Sequence, residues 1–179
     1  TEVASSQSGD PACSLSILSS NVLMTNNHYA ELLDLIAEHN PDIVITLESD
    51  KQWQATLDQI QVDYPYSVKA PQDNLYGMHI YSKLTLLNHQ LCYLLKDQIP
   101  SIHCLLSLRS GDQINLRVVH PMPPSPTESD SSTGRDAELI IVGKKVAESD
   151  APTIVGGDLN DVAWSDSTVL FRHISGLKD

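Results

Sequence analysis

The chain has 179 residues, 41% hydrophobic and 19% charged, enough apolar material for one domain's core and too much for disorder to be the default. Lys and Arg number 11 against 23 Asp and Glu, a net charge of −12. That balance excludes holding duplex nucleic acid by surface charge alone, but not a nuclease whose metal supplies the local positive charge. No apolar run approaches the roughly 20 residues of a bilayer span, and the polar first residues carry no secretory-signal pattern.

Residues 1–13 are rich in Ser, Gly and acidic side chains and read as a linker. Residues 14–179 read as one domain. Residues 14–22 predict a strand. Asn26 and Asn27 offer capping chemistry ahead of a helix over 29–40, where Leu32, Leu33, Leu35 and Ile36 form an apolar stripe. Asn40-Pro41 ends that helix. Residues 42–47 (Asp-Ile-Val-Ile-Thr-Leu) read as a strand buried on both faces. Strand, helix and strand in so short a span make a βαβ unit, so the sheet is at least partly parallel. Ser49 or Asp50 caps a second helix running to about Ile60, with Trp53 and Leu57 inward.

Four strands are expected over 76–82, 84–95, 101–108 and 113–119, with a tight turn at Gly111-Asp112. Residues 120–132 carry four prolines and form a loop. A helix over 133–149 turns Leu139, Val142 and Val146 inward, a buried strand spans 153–157, and 162–172 are partly helical. Cys92 and Cys104 flank the hairpin near Gln98. We read them as two thiols acting as small hydrophobes, with a disulfide left open.

The strongest local signal is Pro152-Thr-Ile-Val-Gly-Gly-Asp-Leu-Asn-Asp-Val-Ala-Trp-Ser165. If the chain stays extended past Gly157, Asp158 and Asn160 point the same way. A carboxylate and a carboxamide at a strand's C-terminal end suit a hard cation or a phosphate with its attacking water. An Asx turn ending the strand explains the same residues equally well. Glu48 follows a buried strand, where ligands of α/β folds bind. The local alternative is a helix-N-terminal acid. Asn21 and His120 also end strands, and each has a plain loop reading. Together, carboxylates, carboxamides and one His at strand ends, with no Cys cluster, Ser elbow or glycine phosphate loop, point to magnesium-assisted phosphoryl chemistry.

The order of these residues resembles the endonuclease/exonuclease/phosphatase superfamily, which includes AP endonucleases, DNase I and neutral sphingomyelinases. The matching pieces are Asn21-Val-Leu, Asn40-Pro-Asp-Ile-Val-Ile-Thr-Leu-Glu48 with Trp53, Tyr76-Gly-Met-His-Ile-Tyr-Ser-Lys83, His120-Pro-Met-Pro-Pro124, Arg135-Asp-Ala-Glu-Leu139 and Gly157-Asp-Leu-Asn-Asp-Val-Ala-Trp-Ser165. The last block and the His-Pro-x-Pro-Pro loop most resemble a bacterial subgroup of unassigned substrate, some of whose members carry membrane helices ahead of the domain.

The resemblance implies a four-layer α/β sandwich of two packed mixed sheets with helices outside. It implies Glu48 as the Mg²⁺ (or Mn²⁺) ligand, with Asn21 beside metal and phosphate. His120 takes the phosphate-binding position, Asp158 orients or activates the attacking water, and Asn160 positions the phosphate. The implied substrate is a phosphoester, whether a small molecule, a lipid headgroup or nucleic acid. A membrane anchor outside these residues is compatible with the subgroup, and the compartment is not legible. Leu47 stands where the family often has Gln. The family's closing Asp-His pair is absent, since no Asp-His dipeptide occurs in the sequence. The resemblance therefore implies a chain cut short at its C-terminus and inactive alone. The alternative is a non-catalytic module binding a phosphorylated ligand or a protein.

Overall fold

The computed structural model describes residues 10–123 and 131–178. A 3-10 turn, Pro11–Cys13, capped by the Asp10 carboxylate, leads into β1 (Ile17–Asn21). Then follow α1 (Tyr29–His39), β2 (Ile43–Leu47), α2 (Lys51–Leu57), β3 (Tyr66–Ala70) and β4 (Met78–Ser82). The second half holds β5 (Leu86–Tyr93), β6 (Pro100–Ser107), β7 (Gln113–Val119), α3 (Ser131–Ala147), β8 (Thr153–Gly157) and α4 (Asp166–Ser175).

The strands form two four-stranded mixed sheets, ordered β1-β2-β4-β3 and β5-β6-β7-β8. Each contains one parallel pair, β1 with β2 and β7 with β8, and the other pairs are antiparallel. The sheets pack face to face. Ile43, Ile45, Met78 and Ile80 of the first meet Ile102, Leu106, Leu116 and Val118 of the second, all essentially without solvent exposure. The outer face of the first sheet carries α1 and α2 through Leu32, Ile36, Val44, Trp53 and Tyr81. The outer face of the second carries α3 and α4 through Val119, Leu139, Val142 and Phe171. This is the expected sandwich.

Several local expectations are corrected. Residues 66–70 form β3, which the sequence reading left out. Its only buried side chains are Val68 and Ala70, too short an alternation to stand out. α2 stops at Leu57, and Asp58–Val62 tighten into a 3-10 turn. The strand expected over 84–95 is shorter and carries a bulge between Leu87 and Gln90. Cys92 and Cys104 are both free. Cys92 pairs across to Ser101, three residues from Cys104, so the two side chains leave opposite faces of the hairpin. Cys104 is the buried thiol expected, and Cys92 is half-buried on the outer face. The proline loop falls largely on residues 124–130, outside the described set. Among the described residues no helix is long and apolar enough to cross a membrane.

Candidate functional site

β1, β2, β7 and β8 all end at one edge of the sandwich, so the residues just past them share it. The parallel register places Asn21 beside Leu47 and Val119 beside Gly157. Glu48 is thereby the neighbour of Asn21, and His120 the neighbour of Asp158.

Asn21 makes the connection. Its Nδ2 donates to Glu48 Oε1 at 2.7 Å and to Asp158 Oδ2 at 3.2 Å, while its Oδ1 accepts from the Leu23 N–H at 3.1 Å. One carboxamide from the first sheet thus spans two carboxylates, one from each sheet. Glu48 and Asp158 are half-buried. A cavity of about 520 Å³ opens beside them, lined by Asn21, Leu47, Asp158 and Asp161 among others.

Backbone geometry fixes both carboxylates. Glu48 has φ +55°, a conformation that costs a non-glycine residue energy and persists only when its neighbours impose it. Leu47 on one side is locked in β2. On the other, Ser49 is wholly buried, and its N–H donates to the Gly77 carbonyl at 3.1 Å. Ser49 also ends a buried chain. Thr46 Oγ1 donates to Ser49 Oγ at 3.1 Å, and Ser49 Oγ donates to His79 Nδ1 at 2.6 Å. Burial drives the His79 pKa down to about 4, so the ring is neutral and accepts at Nδ1. On the second sheet, Gly157 has φ +121°, and a Cβ there would stand 2.1 Å from the Val119 carbonyl oxygen. Only glycine lets β8 run so close to β7 and release Asp158 into the site.

Past Asp158 the chain turns instead of staying extended. Asn160 has φ +50°, and its N–H donates to Asp158 Oδ1 at 2.9 Å. This is an Asx turn, the local alternative of the sequence reading, and it fixes the orientation of the Asp158 carboxylate. Asn160 Nδ2 reaches the Pro121 carbonyl at 2.8 Å and ties the turn to the loop beginning at His120. Leu159 packs against the outer core beneath α3 and α4.

His120 is 3% exposed, and its Nδ1 is buried without a partner. Burial favours its neutral form, opposed by the Asp158 and Glu48 carboxylates. The Tyr76 ring stands 5.5 Å from the imidazole. Beyond it lies a second cavity of about 520 Å³, lined by Tyr76, Leu95, Lys96, Ile99 and Met122.

Sequence reasoning gave no role to three further groups. Arg135, 8% exposed, bonds the Asn160 carbonyl at 3.2 Å through Nη1 and approaches Asp161 at 3.5 Å, holding the Asx turn from behind. Glu138, 3% exposed, has a buried Oε1 with no partner, and burial raises its pKa to about 7. The Tyr76 hydroxyl is also shifted up, by burial and by the Glu138 and Glu48 charges. A usable signal existed: Arg135 lies four residues before Leu139, and Glu138 four before Val142, on the stripe that turns inward.

The donor set fits a hard divalent ion. Two oxygen-bearing carboxylates converge at a solvent-reachable edge. Among the described residues no cluster of three or more His, Cys, Asp or Glu forms a closed metal cage. Mg²⁺ characteristically takes one or two carboxylates and leaves its other positions to water and phosphate.

Two facing mixed sheets, with an acidic, amide-bridged edge at their strand ends, define a class of α/β sandwich built around a polar end-site. The sequence matches the model of the Endonuclease/Exonuclease/phosphatase family over residues 18–178, and the chain belongs to that family. Among solved structures it is similar to a humanized TDP2 of D. rerio, with 23% identity, TM-score 0.72 and coverage of 87% of this chain and 65% of that one. A beta hairpin deletion mutant of beta toxin from Staphylococcus aureus shares 17% identity over 93% of this chain and 74% of its own, TM-score 0.72. SmcL shares 16% over 92% and 70%, TM-score 0.74. These likenesses establish the fold. The chain spans 65% of the length of the D. rerio protein. A search of curated protein sequences gives no match.

Proposed function

We propose that the chain carries most of the active site of a divalent-metal-dependent phosphoester hydrolase. The observation that supports this best is the Asn21 amide bridging Glu48 and Asp158, residues from different sheets and 110 apart in sequence (158 − 48). Family membership and a donor set suited to a hard cation point the same way.

Glu48, with Asn21 at its side, holds Mg²⁺ or Mn²⁺, which supplies positive charge where negative charge builds on the phosphoryl oxygens. Asp158, oriented through both oxygens, accepts a hydrogen bond from the attacking water and aligns it. His120, beside Asp158 at the strand ends, donates to a phosphate oxygen. Asn160 positions the phosphate and, through Pro121, the His120 loop. Arg135 stiffens the turn that carries Asp158. Holding nucleophile and phosphorus in line is the larger part of such catalysis.

The family's Asp-His pair does not occur in these residues, so slow hydrolysis or none is expected of them alone. The substrate reading is a small phosphoester or a phospholipid headgroup. One D. rerio TDP2 structure is described with a single-strand DNA product. The charge of −12 here favours a smaller phosphoester over non-specific DNA.

The test is hydrolysis of bis(4-nitrophenyl) phosphate by the protein carried through to the gene's stop codon, with Mn²⁺ or Mg²⁺ against chelator. Metal-dependent turnover that falls about 10²- to 10⁴-fold in Glu48→Gln and Asp158→Asn is expected. Full activity in either variant would overturn the assignment. A folded, metal-loaded protein that hydrolyses nothing would favour the binding-module reading.

A further inference from the structure

Away from the catalytic edge, the outer face of β5, β6 and β7 holds a cavity of about 220 Å³, lined by Asn88, Gln90, His103, Asn115 and Arg117 among others. Its polar lining contains no carboxylate. Arg117 is half-buried, and one of its nitrogens, Nε, is buried without a partner. Among the described residues its one side-chain hydrogen bond runs from Nη1 to His103 Nδ1 at 3.0 Å. Arg117 is one of the residues that line the cavity. Among the described residues no Asp or Glu pairs with Arg117, in a chain with 23 acidic side chains.

An arginine withdrawn from water is normally compensated by a carboxylate or phosphate. Here, among the described residues, no carboxylate does so, and the acidic group acting on Arg117 is the Cys92 thiol, whose Sγ lies 3.6 Å from His103 Nδ1. The Lys145 ammonium, exposed on α3, acts electrostatically on His103 together with Arg117, and with burial these charges hold the imidazole neutral at a pKa of about 4. The neutral ring is committed on both sides. Nδ1 accepts from Arg117, and Nε2–H lies 3.3 Å from Ser101 Oγ, which in turn donates to the Cys92 carbonyl at 3.3 Å. This chain of bonds holds the guanidinium in place at the cavity wall. A fixed fork loses little side-chain entropy on meeting a ligand, the condition under which arginine binds oxyanions well.

We propose that this cavity binds a small oxyanion of the inorganic phosphate class, held by the Arg117 guanidinium. The site is independent of the catalytic edge, because Arg117 points to the outer face of β7 while the neighbouring Leu116 and Val118 point into the sandwich.

The experiment is a thermal-shift and calorimetric titration of the chain with inorganic phosphate, in chelator, so that no metal draws phosphate to Glu48 and Asp158. A saturable rise in Tm is expected, because a ligand that binds only the folded state stabilises it. Arg117→Gln should weaken binding at least tenfold. Acetate should bind at least tenfold more weakly than phosphate. Glu48→Gln and Asp158→Asn should bind phosphate as the parent does. Lack of saturation, unchanged affinity in Arg117→Gln, acetate as tight as phosphate, or loss in the catalytic-edge variants would each overturn the proposal.

Discussion

Ser49 Oγ donates to His79 Nδ1 across 2.6 Å, and both side chains are wholly buried. The bond has a cost. The imidazole Nε2 is left without a partner in the core, so the pair is not explained by stability alone. Its geometric effect is to fix the residue after Glu48, whose backbone is held at φ +55°. His79→Leu should therefore leave stability at pH 7 unchanged or higher, while Mn²⁺ affinity falls roughly tenfold as Glu48 loosens, the range seen when groups behind a metal ligand are removed. Calorimetric metal titration beside a denaturation curve checks this. Affinity and stability falling together would mean that His79 only fills the core.

The same histidine predicts acid sensitivity. Its folded pKa of about 4 lies below its ordinary 6.5. Between these values the unfolded chain binds the proton and the folded chain does not. The stabilisation is present above pH 6.5 and is lost as the pH falls toward 4. The loss is on the order of 3 kcal/mol. His79→Leu should flatten that part of the stability profile. His103, also at about 4, leaves a residual slope.

Gly77 is the other wall of the Glu48 turn. A Cβ there would lie 2.0 Å from the Ser49 carbonyl oxygen and 2.7 Å from the Gln72 nitrogen, both backbone atoms. No rotamer change relieves that clash. Gly77→Ala should cost about 3 kcal/mol, the upper end of overpacking penalties, read as a lower denaturant midpoint. A variant as stable as the parent would show that the strand entry yields.

These particulars show what the sequence could carry. β2 was legible because Ile43-Val-Ile-Thr-Leu47 is continuous and buried on both faces, and the sheet then had to place Glu48 at an edge. Asn21, Glu48, His120 and Asp158 were legible as strand ends, and the structure brings them together. β3 was not, since a two-residue alternation carries too little periodic signal. The turn at Asn160 stays undecided between an extended segment and an Asx turn in the sequence, because Gly-Gly-Asp-Leu-Asn fits both conformations until the Asp158 side chain chooses one. The buried Arg117, Arg135 and Glu138 were passed over because charged residues default to the surface. Each is inside for a different reason: a cavity, a turn to hold, and a place behind the site.

Glu138 gives the last prediction. Its side chain is buried with Oε1 unpartnered, and burial lifts its pKa to about 7 from an ordinary 4.5. The sign is opposite to that of His79. Between pH 4.5 and 7 the folded state keeps a proton that the unfolded state releases, so this group's contribution is full below 4.5 and is lost as the pH rises through 7. Above 7 the fold holds a desolvated carboxylate near Tyr76. Glu138→Gln is isosteric and never ionises. It should be more stable than the parent at pH 8 by roughly 1–3 kcal/mol and equal to it near pH 4.5. Thermal denaturation at the two pH values distinguishes the cases, and a variant less stable at both would mean that the ionised carboxylate has a partner it needs.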